Sequence, residues 1–311
     1  MFHSCRCFQL LPLLFCFFAF PVKSQELLSV WEPSPQFHKN RFTTVMITEG
    51  VGYIGAMYGL DALWYRNHPR SGFHFFNDNA QWLQMDKAGH VATAYYIGYA
   101  GMQALRWSGV SNKKSIWYGG TLGLFFQTSL EVFDGFSEQW GASTGDLIAN
   151  ASGTALLIGQ EYLWGEQRFR IKISAHLTRY APFRPDVLGS SVAERLLKDY
   201  NGQTYWISAN VASFLKPETH FPRWLNVALG YSADGMTYGG PDLPDTGHGN
   251  SIVTFPMQRQ YFLSLDIDLH RWIKKPGFLK ALAEAFGYLK IPAPALGYHT
   301  NDGLRFHWFY F

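Results

Sequence analysis

The chain has 311 residues, 47% hydrophobic, 17% aromatic and 16% charged. The charged fraction is low beside the roughly 25% of an ordinary soluble domain, and aromatics this dense exclude a disordered chain. Twenty-six Lys and Arg against 23 Asp and Glu leave a net charge of +3, too small an imbalance for a nucleic-acid footprint, while 11 Trp, 17 Tyr and 26 Phe point to contact with lipid or another apolar phase.

Residues 1–24 read as a secretory signal. His3 and Arg6 flank the start of an apolar run from Phe8 to Phe20, and Val22-Lys23-Ser24 precedes an expected cut before Gln25. Cys5, Cys7 and Cys16 all fall in this segment, so the expected mature chain offers no disulfide partner and no cysteine ligand. Phe15 stands before Cys16 where a lipidation signal needs a small residue.

Residues 25–165 are expected to be helical. Four apolar stretches run over Thr43 to Tyr65, Asp86 to Trp107, Ser115 to Phe136 and Gly145 to Trp164. Each is about 20 residues, or about 30 Å as a helix, which suits either a bilayer or a buried bundle. Ionisable groups interrupt every one of them: Glu49 and Asp61, then Asp86 and His90, then Glu131 and Asp134, then Asp146. Gly50, Gly52, Gly55 and Gly59 in the first stretch, with Gly98 and Gly101 in the second, predict close helix approach.

From residue 166 to 311 the hydrophobic period becomes two, which predicts antiparallel strands. Alternation covers Phe169 to Leu177, Tyr205 to Ala212, Leu225 to Ser232 and Tyr261 to His270. Asn301-Asp302-Gly303 then signals a hairpin between Leu296 to Tyr298 and Leu304 to Phe311. Lys280 to Leu289 reads as a helix. The fold class is therefore α+β: about four apolar helices, then an antiparallel region forming either a small barrel or a sheet with its apolar face on a core. Alternation of apolar with small or polar residues is also the signature of outer-membrane strands.

The candidate chemistry lies on the helices. Asp86 and His90 are four apart, Glu131, Asp134 and Glu138 are spaced three and four, and Asp146 and Asn150 are four apart, so each set shares a helix face. Three helices thus turn polar groups toward one interior. His90, Asp86, Glu131 and Asp146 are the catalytic candidates, while Lys87, Asp134 and Asn150 complete a binding or structural cluster. Buried together, these acids must be relieved by a divalent cation with His90 as nitrogen ligand, by Lys87 and His90 as counter-charges, or by protonation. The sequence names no cofactor and leaves metal binding open. Ser143-Thr144 reads as a helix N-cap. A metal role for His248 beside Asp245 is weaker, and Asp266, Asp268 and His270 are explained by strand alternation. Neither a G-x-S-x-G nor an HExxH motif is present.

Asp86-Lys87-Ala88-Gly89-His90, followed by Tyr95 and Tyr96, resembles the DKxxH helix of the YfiM-like exported bacterial proteins of unknown function. Glu131, Asp134 to Ser137, Trp140 to Ser143, Gly145-Asp146, Asn150 and Gly153 extend that pattern. The order of DKxxH, a glutamate and D-x-x-x-N-x-x-G is also similar to the VanZ-like membrane proteins linked to glycopeptide resistance. The likeness spans roughly residues 75 to 165. It implies an envelope protein of the periplasm or of a membrane, the outer membrane included, and supplies no catalytic residues. The leading expectation is an envelope protein whose cluster is a structural or ligand-binding centre, with a membrane lipid or envelope component as partner. The alternatives are a membrane-associated enzyme acting on a lipid or cell-wall precursor, and a small transporter or channel.

Overall fold

The computed structural model describes residues 32–66, 68–240, 253–275 and 277–311. The expected export signal with its three cysteines, and the loop carrying Asp245 and His248, lie outside the described residues. Helix α1, Lys39–Leu60, runs into a π-type turn over Asp61–Tyr65. Helices α2 (Met85–Trp107), α3 (Leu122–Gly135) and α4 (Thr144–Trp164) follow. These fall on the four apolar stretches, the third opening with a π-type turn, Ser115–Gly119. Among the described residues no helix is long and apolar enough to cross a membrane.

Helices α2, α3 and α4 pack closely because glycines remove side chains where backbones meet. A Cβ on Gly98 would lie 2.4 Å from the Gly120 carbonyl oxygen, one on Gly123 2.0 Å from that of Ala94, and one on Gly153 2.2 Å from that of Val91. The glycines of α1 do not behave this way. Among the described residues nothing approaches Gly50, Gly52, Gly55 or Gly59, so no described segment makes the close approach expected there. Helix α1 instead rests on the bundle through Val45 against Leu105 and Trp107, and through the Tyr53 hydroxyl donating to Ser129 Oγ at 2.8 Å.

Six strands then form one antiparallel meander: β1 Phe169–Ala175, β2 Gln203–Asn210, β3 Leu225–Asp234, β4 Gln258–Ile267, β5 Ala293–His299 and β6 Gly303–Tyr310. The last two are joined at Asn301-Asp302-Gly303, where Gly303 takes a φ of +77°. The sheet is not closed into a barrel. The free side of β1 is occupied by Tyr288–Lys290, with Ile173 N–H donating to the Tyr288 carbonyl and Lys290 N–H to that of Ile173. A fifth longer helix, α5 Phe278–Phe286, precedes this segment. Strand β4 stops at Ile267, so of the three polar residues expected on it only Asp266 is in the strand. Asp268 caps the short helix Leu269–Trp272, and His270 lies within that helix, 2.6 Å from Glu284.

The sheet is inverted in polarity relative to a sheet that lays its apolar face on a core. Its buried face carries Ser174, Thr204, Ser208, Asn226, Ser232 and Asp266 around Trp206 and Phe262. The register places Gly230 between Trp206 and Phe262, and Gly297 beside Phe262, where a Cβ would come within 2.7 and 2.8 Å of the rings. Large rings therefore fill the inside only because glycines face them. The other face carries one aliphatic row, Ile171–Ile207–Leu229–Leu263–Leu296–Phe306, and one tyrosine row, Tyr205–Tyr231–Tyr261–Tyr298. Helices α2 and α4 cover this face at β1 and β2, where Ile171, Ile173 and Tyr205 join Tyr95, Tyr99, Met102 and Leu157 in a core, and Met85 with Trp82 and Leu83 extends the cover to Tyr231 of β3. Beyond these, and among the described residues, the aliphatic row is open, with Leu229 61% and Leu263 48% exposed.

Candidate functional site

Three helices bring their polar faces together as the spacing predicts. Lys87, in the first turn of α2, is the hub: its ammonium lies 2.6 Å from Asp78, 2.9 Å from Asp86 and 3.0 Å from Asp146. One turn further along α2, the His90 ring stands between the other helices. Its Nδ1 is 3.8 Å from Glu131 Oε1 of α3, and its Nε2 is 3.8 Å from Asp146 Oδ1 of α4. His90 Nδ1 is also 3.0 Å from Asn150 Oδ1 and 3.1 Å from Gln127 Nε2. A proton on Nδ1, donated to Asn150, leaves the Nε2 lone pair facing Asp146.

The N-terminus of α4 is tied into the same centre. Ser143 Oγ accepts the Asp146 backbone N–H at 3.1 Å as the expected N-cap, and donates its own proton to Asp78 at 2.6 Å. Its backbone N–H donates to Glu131 Oε2 at 2.9 Å. Among the described residues the other Glu131 oxygen, Oε1, is buried without a hydrogen-bond partner, as is Asn150 Nδ2. Asp134, one turn beyond Glu131, accepts the Tyr65 hydroxyl at 2.7 Å.

Burial dominates the electrostatics. It pushes the Glu131 carboxyl up to about 8 and that of Asp134 up to about 6, and raises Asp86 and Asp146. Asp78 is also partly desolvated, yet hydrogen bonds from Lys87 and Ser143 hold it below the usual carboxylate range. Five carboxyls thus share Lys87 and His90, and this excess of acid sets the site's chemistry. Two triads are close enough to hold a cation: His90, Glu131 and Asp146, and Asp78, Asp86 and Asp146. The second already encloses the Lys87 ammonium; the first has no resident ammonium of its own.

The centre opens to the surface. A cleft of about 410 Å³ is lined by Asp134 and Asp146 with Asp78, Trp82, Trp140 and Arg184. Its rim includes a strained turn: Trp82, Leu83 and Gln84 take φ values of 48°, 49° and 62°, left-handed backbone that such side chains rarely adopt. Contacts from the strand half of the molecule hold the turn. Trp82 N–H donates to the Gly239 carbonyl at 2.6 Å, Arg259 Nη1 donates to the Leu83 carbonyl at 2.9 Å, and the Tyr231 hydroxyl donates to that same carbonyl.

All seven expected site residues meet here: Asp86, Lys87 and His90 from α2, Glu131 and Asp134 from α3, Asp146 and Asn150 from α4. Glu138 does not. Helix α3 ends at Gly135 and leaves Glu138 exposed, its backbone N–H bonded to the Pro69 carbonyl. Sequence reasoning missed Asp78, which lies in a loop without periodicity. It also missed Gln127, which stands four residues before Glu131 on the same face of α3 and was open to the spacing argument.

Residues 73–159, which contain this whole centre apart from Tyr65, the strand-side contacts and the far wall of the cleft, match the model of a family described as "Predicted periplasmic lipoprotein (DUF2279)". No curated protein and no solved structure matches the chain. The finer YfiM-like and VanZ-like resemblance rests on the motif residues alone. The matched stretch is similar to an exported family of unknown function, which supports export of this chain to the cell envelope.

Proposed function

We propose that this is a cell-envelope protein working at a membrane surface, whose helical module binds a divalent cation between His90, Glu131 and Asp146 and presents it to a ligand in the adjoining cleft. The observation carrying this reading is Glu131 Oε1, a buried carboxylate oxygen without a hydrogen-bond partner, 3.8 Å from an imidazole nitrogen in a cluster with surplus acid. One nitrogen and two carboxylates suit zinc or manganese.

A second reading, an enzyme acting on a lipid or cell-wall precursor, is supported by the access of Asp134 and Asp146 to the cleft. Glu131 then holds a proton near neutral pH and sits beside His90, an arrangement suited to proton transfer once a substrate is held by Arg184 and the Trp82 and Trp140 rings.

The test is titration of chelator-treated protein with Zn²⁺ and Mn²⁺, read by calorimetry and thermal melting. A cation at about 100 times its dissociation constant stabilises a fold by about 2.7 kcal/mol. The wild type should melt higher with metal, while His90→Ala and Glu131→Gln should fold yet show no shift. A wild type that binds neither ion overturns the cation centre. If both variants bind the ions as the wild type does, the ligands are misassigned.

A further inference from the structure

We infer that the open face of the sheet is a lipid-docking surface, lying face-on against a bilayer with its aliphatic row in the acyl region and its aromatic margins among anionic headgroups. This deepens the membrane-surface part of the proposed function and does not depend on the cation centre.

Polarity is the first ground. Polar groups on the buried face are engaged with one another: Ser208 Oγ donates to Asp266 at 2.6 Å, Asn210 Nδ2 to Asn226 Oδ1 at 2.7 Å, and Trp206 Nε1 to Ser174 Oγ at 2.9 Å. The register therefore commits the strands to an outward aliphatic row, because a slip by one residue would turn these bonded groups to solvent. An uninterrupted exposed apolar face of this size marks an interaction site.

The second ground is the distribution of charge, which selects lipid over a protein partner. From the tyrosine row to Leu225 and Ile267, the outward positions of β2 to β5 carry no charged side chain. Amphipathic rings border the aliphatic centre on both sides. On one side Tyr261 and Tyr298 are exposed, while Tyr205 and Tyr231 of the same row pack against Met85 and the Trp82–Gln84 turn. On the other side Trp224 and Trp272 stand 6.1 Å apart. Next to that tryptophan pair is a cleft of about 190 Å³ lined by Lys216, Arg223, Ser213 and Thr219, and by Arg271 in an ion pair with Glu166 at 2.8 Å. An aliphatic centre bordered by Tyr on one side, and by Trp and then Lys216 and Arg223 on the other, is complementary to hydrocarbon bordered by phosphates. A protein partner would not require this order.

The test is flotation of the full chain, purified in detergent and dialysed into vesicles of phosphatidylethanolamine and phosphatidylglycerol at three to one, compared with phosphatidylcholine alone. The wild type should float with the anionic vesicles. The double variant Leu229→Thr, Leu263→Thr keeps strand-forming residues at exposed positions; it should retain the wild-type circular dichroism and lose vesicle binding at least about ten-fold. Lys216→Gln with Arg223→Gln should weaken binding to the anionic vesicles by several-fold and flatten its salt dependence. If the wild type floats and the double variant floats equally, the face is wrongly assigned while the membrane reading stands. A wild type that binds neither vesicle overturns both. If the double variant instead converts a dimer to a monomer in sedimentation and leaves vesicle binding unchanged, a second copy of the chain covers the face and the inference falls.

Discussion

The molecule has two polar interiors, and they differ in charge balance. Inside the sheet, Lys172 and Lys290 are fully buried around Asp266, at 2.7 and 4.0 Å. The surplus cation is absorbed by backbone: Lys172 donates to the Ile267 carbonyl, and Lys290 to those of Leu265 and Ile291. Between the helices, five carboxyls meet one lysine and one histidine, and an oxygen of Glu131 is left over. The first interior carries more cation than acid and is buried throughout, with Asp266 Oδ1 lacking a hydrogen-bond partner among the described residues and facing Lys290. The second opens onto a cleft and lacks positive charge, as expected of a place built to receive something.

Four measurements break or sharpen this contrast. Asp266→Ala strands two buried ammonium groups, and denaturant titration should show about 3–5 kcal/mol of lost stability. Against it, Asp146→Asn removes one of several repelling acids, so in the absence of metal it should cost far less.

Changing the pH separates the two interiors by the sign of the response. Glu131 holds its proton in the folded state up to about 8, against 4.5 unfolded, so its contribution to stability is complete below about 4.5 and is lost as the pH rises through about 8. Burial lowers Lys290 to about 8 from 10.5. The unfolded chain then binds the extra proton, and this group's contribution rises between about 8 and 10.5. Denaturation midpoints across pH should show the first slope in metal-free wild type, and the slope should flatten in Glu131→Gln.

Ser143→Ala removes the α4 cap and the proton given to Asp78; equilibrium melts should show about 1 kcal/mol of lost stability. Smallest of all, Leu263→Thr on the open face should change stability by no more than about 0.5 kcal/mol in the same assay, since little packs over that side chain.

Much of this was legible in the sequence where a period carries it. Three helix faces announced themselves because Asp86 with His90, Glu131 with Asp134, and Asp146 with Asn150 obey helical spacing. Strand positions followed from alternation, and the final turn from Asn-Asp-Gly. Alternation cannot say which face of a strand turns inward, however; that is decided by cross-strand partners such as Trp206 with Gly230 and Phe262, which belong to distant segments. Asp78 was invisible because a loop has no period, and the hub role of Lys87 because it depends on three chain segments converging on one ammonium. The glycines of α1 misled for a related reason: their composition suits close packing, yet no neighbour arrives to use it.

The left-handed turn at Trp82–Gln84 has one further consequence. Its Leu83 carbonyl is clasped from the sheet by Tyr231 and Arg259, and two residues later the chain opens the helix that carries Asp86, Lys87 and His90. The turn is a short link between the sheet face proposed to dock on a bilayer and the acids at the bottom of the cleft. Seating of the sheet on its surface would therefore be transmitted to the ligand pocket through three residues, making occupancy of one sensitive to occupancy of the other.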